Sequence, residues 1–283
     1  MDIKGWKYYN HAAVPTSAPH EDVDITPIEN GDIWKLGGKK TIPLLARWTT
    51  DFDCGYETGW WYVVKDAPFD INALKAKRRY EINKGKRNFD VRVIDPCDFK
   101  EELYQVQVAA FSEYPEKYRP MVNKDEFISG LDKWVHCTVF GAFYRETDEL
   151  AGYTMITVTD EKWLGLSVQK TNPEFEKLQV NAALVEKVVT HYVDFLENGG
   201  IICDGSRSIN HETNFQDYLE KYFGFRKAYC RLRIAYHPAI KWIIKLLYPV
   251  RGLLLRMDDI GIVHLINGVL RMEEICRRGV ICR

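Results

Sequence analysis

The stretch from Cys137 to Val168 constrains the fold of this chain more than any other part. It divides into three segments rich in apolar and β-branched residues, Cys137 to Tyr144, Leu150 to Val158 and Trp163 to Val168, with short polar turns between them. Segments of this length joined by tight turns pair as consecutive antiparallel strands. The sequence therefore predicts a three-stranded meander in the middle of the chain.

A strand–helix–strand unit is predicted after the meander. Apolar residues recur at helical spacing from Leu178 to Leu196, which predicts a long amphipathic helix. Ile201 to Asp204 then predicts a short buried strand, Thr213 begins another helix, and Cys230 to Tyr236 predicts a final strand. Such a unit favours at least one parallel strand pair. The expected fold class is α/β (α+β), with a mixed, mostly antiparallel central sheet flanked by helices.

The remaining parts of the chain have weaker patterns. Residues 1 to about 40 are polar and rich in turn residues, and they predict an irregular arm with one short strand. Asp70 predicts the start of a helix that Gly85 ends. We expect residues 1–95 to form an N-terminal arm and a partial α/β region, residues 96–237 the main α/β domain, and residues 238–283 a helical extension.

The composition excludes several classes of protein. The chain has 283 residues, 46% of them hydrophobic, and a formal net charge of −1, whereas dedicated nucleic-acid binders carry a basic excess. Its seven cysteines include no Cys-x-x-Cys pair, so we expect no metal site and reduced thiols, as in a cytoplasmic protein. No apolar run reaches the ~18 residues of a membrane span, and the first residues do not resemble a signal peptide.

The tract from Thr213 to Arg226 carries Asn214 near its start and Gly224-Phe225 at its end. Together with the element order between residues 97 and 237, this tract resembles the late helix of the GNAT superfamily of acyl-CoA N-acyltransferases. The resemblance implies a GNAT-type fold and an acyltransferase activity. The donor would be a thioester such as acyl-CoA or acetyl-CoA, and the acceptor a small-molecule amine.

The basic segment from Lys75 to Arg87 precedes a predicted strand. It is similar to a segment of the Fem-type aminoacyltransferases, which are built on GNAT-type domains. This resemblance implies an alternative in which the donor is aminoacyl-tRNA and the basic segment binds the tRNA. A solvated helix face is the simpler interpretation of the same charges.

The GNAT resemblance places the phosphates of the donor between the third meander strand and the long helix. Most acetyl-CoA users have a glycine-rich loop there, whose backbone N–H groups receive the pyrophosphate. Here the stretch from Gln169 to Gln179 contains no glycine and carries Glu174 and Glu176. This departure motivates a third hypothesis, a GNAT-shaped protein that binds a small molecule without turnover. The predicted donor-binding residues are Gln169, Lys170, Thr171 and Asn172.

The tract from Asp204 to Glu212 follows a buried strand, and loops that leave strand ends commonly line ligand clefts. Histidine titrates near neutral pH, so His211 suits a general base, and Arg207 suits bidentate binding of a carboxylate or phosphate. The catalytic candidates are Asp204, His211 and Glu212. The substrate-binding candidates are Ser206, Arg207, Asn210, Asn214 and Tyr218. Turn and helix capping, an ion pair and, for Tyr218, core packing are the structural alternatives.

The C-terminal segment is apolar enough to need a partner. Apolar residues dominate Ile240 to Leu255 and recur from Leu265 to Leu270, while Lys241 and Arg256 are among the cations that frame them. Packing against the main domain is the simplest interpretation. A homodimer contact or a membrane-surface contact are the alternatives.

Overall fold

The computed structural model describes residues 2–38, 41–114, 116, 119–209, 214–258 and 260–279. Within these residues the strands are β1 (Trp6–Tyr9), β2 (Ala12–Pro15), β3 (Leu45–Thr50), β4 (Trp60–Lys65), β5 (Phe89–Ile94), β6 (Cys137–Tyr144), β7 (Glu149–Asp160), β8 (Trp163–Thr171), β9 (Ile201–Ser206) and β10 (Arg226–Tyr236). The α-helices are α1 (Thr26–Glu29), α2 (Ala76–Asn88), α3 (Lys100–Ser112), α4 (Lys124–Gly130), α5 (Val180–His191), α6 (Val193–Glu197), α7 (Asn214–Phe223), α8 (Pro238–Leu247), α9 (Arg251–Leu254) and α10 (Gly261–Arg278).

Two compact units share the chain, and both are discontinuous in sequence. The first comprises Met1–Val63, Ser206–Thr213 and Lys227–Arg283. The second comprises Val64–Gly205 and Asn214–Arg226. Each unit is described separately below.

The second unit contains the predicted meander. Its strands follow the order β9-β8-β7-β6-β5, antiparallel throughout except for the parallel pair β8–β9. Helix α3 packs on β7 and β8, and α5 packs on β5, β6 and β7. Leu103, Val106, Val139, Phe143 and Tyr153 belong to the buried core beneath α3. The predicted mixed, mostly antiparallel sheet flanked by helices is confirmed, including the parallel pair.

The first unit contains more regular structure near the N-terminus than the sequence predicted. Its strands follow the order β1-β2-β3-β10-β4, in which β2 and β3 are parallel. Asn10 and His11 have φ values of 45° and 61° and form the two-residue turn between β1 and β2. Asparagine tolerates this left-handed conformation, which two-residue hairpins require. The prediction of an irregular arm with one short strand is therefore wrong for this hairpin.

Helix α2 begins and ends later than the sequence predicted. Asp70 accepts a hydrogen bond from the Asn72 backbone N–H at 2.8 Å, so it caps a short 3-10 turn, and α2 begins only at Ala76. Gly85 does not end the helix but lies buried inside it, where an added Cβ would sit 2.6 Å from the Gln179 carbonyl oxygen. Its missing side chain allows α2 to approach the start of α5 closely.

Candidate active site

A cavity of about 310 Å³ lies in the second unit at the end of the β8–β9 ladder. The two strands pair in parallel at three positions, the last of which is Gly165 opposite Cys203. The carboxyl ends of parallel strands are a common place for ligand sites. The cavity follows this ladder, and its wall is formed by Leu166, Ser167 and Gln169 of β8, Asn181 of α5, Asp204 of β9 and Phe215 of α7.

Strand β8 carries a bulge in the wall of this cavity. Met155 lies opposite Val168 and Ile156 lies opposite Leu166, so Ser167 has no partner residue on β7. A bulge bends its strand and changes the direction of nearby side chains, and bulges are frequent beside active sites. This irregularity therefore shapes the cavity on the side of β8.

Asp204 is the acidic residue among those that line the cavity. Removal of its carboxyl group from water raises the pKa to about 7, and a hydrogen bond with the Gln216 side chain of α7 opposes part of this rise. A carboxyl group that titrates near neutral pH is matched to general-base catalysis at physiological pH. The structure thus places one predicted catalytic residue in a cavity, while its catalytic role stays a prediction.

Two side-chain amides line the same cavity. Gln169 Nε2 donates a hydrogen bond to Asn181 Oδ1 at 2.8 Å, which joins β8 to the first turn of α5. Within the part of the chain that the structure describes, the buried Oε1 of Gln169 has no hydrogen-bond partner. A buried acceptor without a donor is costly unless a ligand or water satisfies it. Gln169 is therefore suited to accept a hydrogen bond from a bound molecule.

The other three predicted donor-binding residues lie where the chain leaves β8 and approaches α5. Lys170 Nζ lies 4.6 Å from the centroid of the Phe111 ring, and burial lowers the pKa of this lysine. Thr171 is the last residue of β8. Asn172 accepts a hydrogen bond from the Glu174 N–H at 3.1 Å and caps a 3-10 helix. Their part in binding a donor stays a prediction.

Asn214 and Tyr218, two predicted substrate-binding residues, lie on α7. Asn214 is exposed at the first position of the helix. The Tyr218 ring stacks on Phe215 and lies tilted against Tyr222, with centroids 6.0 and 4.7 Å away. Burial raises the pKa of Tyr218, and its buried hydroxyl has no hydrogen-bond partner among the described residues. The hydroxyl is thus protonated at neutral pH, as a hydrogen-bond donor must be.

The rest of the predicted loop is divided between the first unit and undescribed residues. Ser206 and Arg207 belong to the first unit. Arg207 Nη1 donates to the Gly59 carbonyl oxygen at 2.7 Å, and the guanidinium carbon lies 4.4 Å from the centroid of the Trp61 ring. Part of the Arg207 fork is therefore used to hold its own unit together. Asn210, His211 and Glu212 lie outside the described residues.

The cysteine beside Asp204 is unsuited to act as a nucleophile. Cys203 is buried, and burial raises the pKa of its thiol to about 12. The reactive form of cysteine is the thiolate, which would be scarce at neutral pH. The described residues contain no group of three or more His, Cys, Asp or Glu side chains that could hold a metal ion.

The sequence did not identify Asn181, Phe215 or Gln216 as site residues. Asn181 lies at the start of an apolar helical run, and Phe215 resembles any core aromatic residue. Their places in the site depend on how α5 and α7 meet β8 and β9, which no local motif records. The side chain of Gln216 forms a hydrogen bond with the Asp204 carboxyl group.

No protein-family model and no curated protein matches the chain, but solved structures do. L-PGS from Bacillus licheniformis aligns over 86% of this chain and 83% of its own, with 13% identity and a TM-score of 0.50. The C-terminal domain (DUF2156) of an Agrobacterium fabrum protein assigned as a lysylphosphatidylglycerol synthetase aligns over 83% of this chain and 80% of its own, with 12% identity and a TM-score of 0.51. FemX aligns over 59% of each chain, with 9% identity and a TM-score of 0.42. The likeness to the first two of these structures agrees with the fold expected from the sequence, and identities this low concern the fold alone.

Proposed function

We propose that this chain is an acyltransferase in which the Asp204 carboxylate is the general base. The observation that carries the proposal is the position of Asp204, whose pKa is about 7, in the wall of the cavity that follows the β8–β9 ladder. An acceptor amine bound there would lie within reach of a base that is largely ionised just above neutral pH. The general likeness to L-PGS in fold agrees with transferase chemistry.

At the carbonyl carbon the proposed reaction forms a carbon–nitrogen bond and breaks a carbon–sulfur or carbon–oxygen bond, and protons move as well. The acceptor nitrogen attacks the carbonyl carbon of the donor, and the Asp204 carboxylate accepts the proton that this nitrogen loses. The bond between the carbonyl carbon and the leaving sulfur or oxygen then breaks, and the leaving group takes up a proton. Direct attack needs no covalent enzyme intermediate, which agrees with the inert thiol of Cys203. Gln169 would orient the acceptor through its unpaired Oε1.

Substitution of Asp204 by asparagine tests this proposal. The amide keeps the shape of the side chain but cannot accept a proton, so we expect kcat/KM to fall by roughly 10²–10⁴-fold. In the unmodified protein, log kcat/KM should rise with pH up to a midpoint near 7 and then level off. Circular dichroism would verify that the variant is folded. A folded variant with unchanged activity would contradict the proposed role.

Acyl-CoA is the first donor that we propose to test. The stretch from Gln169 to Asn172 would hold it, although the exposed Glu174 and Glu176 beside that stretch are unfavourable for phosphates. Isothermal titration calorimetry with acetyl-CoA and longer acyl-CoAs measures this directly. Saturable binding supports the thioester donor, whereas heat at the level of buffer injection contradicts it. Binding of acyl-CoA without transfer of the acyl group to any amine tested would favour the non-catalytic hypothesis.

Aminoacyl-tRNA is the second donor that we propose to test, because unpaired lysines lie on and just before α2. The exposed Lys75 and Lys77 and the partly exposed Lys84 form no ion pairs within the described residues. Lys86, in contrast, pairs with Glu186 at 2.6 Å, and Arg78 donates to the Lys221 carbonyl oxygen at 2.6 Å. Only the first set of charges is available to a phosphate backbone without loss of an internal contact.

The tRNA proposal is tested by filter binding of lysyl-tRNA at several salt concentrations. A triple substitution of Lys75, Lys77 and Lys84 by glutamine should weaken binding and lower the salt slope by about 2–3. Affinity that is unchanged in this variant, or binding that does not depend on salt, would contradict the proposal. Titration of the same variant with acyl-CoA is the control, since the site proposed for acyl-CoA does not include α2.

We also propose that the C-terminal helices contact a membrane surface. None of the described helices is long and apolar enough to cross a bilayer. Several large apolar side chains between residues 242 and 265 are nevertheless exposed, including Trp242, Leu246 and Leu253. The sequence from 237 to 257 contains four cations and no acidic residue. Exposed apolar side chains among basic ones fit the surface of an anionic bilayer.

A further inference from the structure

Two cavities of the first unit share one arginine. Arg47 of β3 lines a cavity of about 260 Å³ and a second one of about 660 Å³. The larger volume lies within the range of sites for small molecules, roughly 300–1,000 Å³. Both cavities are formed entirely by residues of the first unit.

Arg47 is partly buried beside an aromatic ring and a thioether. Its guanidinium carbon lies 5.9 Å from the centroid of the Trp60 ring, and Nη1 lies 3.8 Å from Met272 Sδ. Within the described residues no carboxylate pairs with it. Burial lowers the pKa of Arg47, yet arginine stays protonated at neutral pH. An uncompensated charge in such surroundings destabilises the fold unless an anion binds to it.

The charges around Arg47 are all of one sign. Lys7 lines the smaller cavity, while Arg207 lines the larger one. None of the described residues that line either cavity is acidic. Trp60, which is 2% exposed, also lines the smaller cavity, and its indole N–H has no acceptor among the described residues. Cations and an unsatisfied donor together favour a ligand with anionic oxygens.

Apolar side chains form part of the wall of the larger cavity. Leu44 and Leu45 contribute at the start of β3, and Leu265, Val269 and Met272 contribute from α10. A free inorganic anion would leave this wall in contact with water. A ligand that joins an anionic group to an apolar chain would cover it, and each buried methylene group would add to the affinity.

We propose that the first unit binds an amphipathic anion, with a phosphate or carboxylate at Arg47 and an apolar chain along α10. This proposal does not depend on the acyltransferase function, since it uses none of the residues of the Asp204 cavity. It names a second ligand site, in which Arg47 supplies the counter-charge and Tyr9 and the serines near Arg207 supply hydroxyl groups.

Calorimetric titration of the full chain with four probes tests the site. The probes are octyl phosphate, octanoate, inorganic phosphate and the neutral octyl glucoside. We expect octyl phosphate or octanoate to bind at least tenfold more tightly than both inorganic phosphate and octyl glucoside. Equal binding of octyl glucoside would overturn the role of charge, and equal binding of inorganic phosphate would overturn the role of the apolar chain. The comparison of octyl phosphate with octanoate identifies the anionic group.

Substitution of Arg47 by methionine locates the site. Affinity for the tightest probe should fall at least tenfold, and Arg47→Lys should retain part of it. The matched control is Arg233→Met, because Arg233 is an exposed arginine of β10 that contacts Thr50. Unchanged affinity in Arg47→Met would overturn the proposal. Since this variant removes an unpaired charge, its melting temperature without ligand should equal or exceed that of the unmodified protein, whereas a clear decrease would indicate a structural role.

Discussion

At Gly85 there is no room for even a methyl group. A Cβ there would lie 2.6 Å from the Gln179 carbonyl oxygen and 3.1 Å from the Ala183 nitrogen, both of which are backbone atoms that cannot rotate away. We expect Gly85→Ala to lower the free energy of unfolding by about 1–3 kcal/mol, as overpacked core substitutions do. Urea unfolding would measure the change.

Gly130→Ala is the matched control for this substitution. Gly130 ends α4 with an ordinary helical φ of −72°, and nothing lies within 4 Å of an added Cβ. The same change should therefore be neutral or stabilise the protein by up to about 1 kcal/mol. If both variants lost similar stability, close packing at Gly85 would not be the cause.

Lys86 and Lys84 of α2 differ in their partners: Lys86 pairs with Glu186, whereas Lys84 has no ion pair among the described residues. The Glu186 side chain is only 10% exposed and pairs with Lys86 Nζ at 2.6 Å. Lys86→Met should cost about 1–3 kcal/mol of stability because it leaves a nearly buried carboxylate without a partner. Lys84→Met, which removes an unpaired lysine, should stay within about 0.5 kcal/mol in the same thermal unfolding assay. Equal losses in both variants would contradict this distinction.

The sequence predicted individual site residues only where a strand end or a motif identified them. Asp204 follows a buried apolar strand and Gln169 follows the meander, so both positions were recognisable. Asn181 was not, because its neighbours on α5 are apolar and only the fold brings it to Gln169. The sequence gives one indication for Arg47, which is a cation in the apolar segment from Leu44 to Trp48. This pattern by itself does not distinguish a side chain that points inward from an exposed one.

At the scale of elements, α8 is expected to bind anionic membranes. Trp242 and Leu246 lie one turn apart on this helix and are 72% and 75% exposed, and Lys241 and Lys245 lie beside them. The protein should co-sediment with vesicles that contain phosphatidylglycerol, and weakly or not at all with phosphatidylcholine vesicles. The double substitution Trp242→Ser and Leu246→Ser should reduce binding at least tenfold.

The control for vesicle binding is Val158→Ser, an exposed apolar position of β7 in the second unit. This variant should bind vesicles as the unmodified protein does. A dimer in solution that dissociates in the α8 double variant, together with no vesicle binding, would instead assign this surface to a homodimer. Sedimentation velocity without lipid distinguishes these results.

Elements were predictable where periodicity and turns agreed. The three strands of the meander are apolar runs separated by short polar turns, and their predicted pairing is confirmed. The hairpin of β1 and β2 was missed because its strands have four residues each and its turn depends on the left-handed conformation of Asn10 and His11. The end of α2 was misplaced because a glycine that permits helix packing resembles one that ends a helix.

At the scale of the whole molecule, Asp204 should make stability depend on pH. Its folded pKa of about 7 lies above the value near 4 of an unfolded aspartate, so between these pH values the folded protein holds a proton that the unfolded chain has lost. The contribution of Asp204 to stability is present below about pH 4 and is lost as pH rises to 7. Asp204→Asn should therefore gain stability relative to the unmodified protein between pH 5 and pH 8 in urea unfolding. A constant difference across this range would contradict the raised pKa.

The chain passes from one compact unit to the other after residues 63, 205, 213 and 226. Because of this interleaving, the segments of the two units are completed at different times during synthesis on the ribosome. Every segment of the second unit, with the Asp204 cavity, has been translated by residue 226, whereas the first unit still needs the residues from 227 onward, which include α8 to α10. A gene interrupted after that codon would still encode all of the second unit, but a gene that lacked its first third could complete neither.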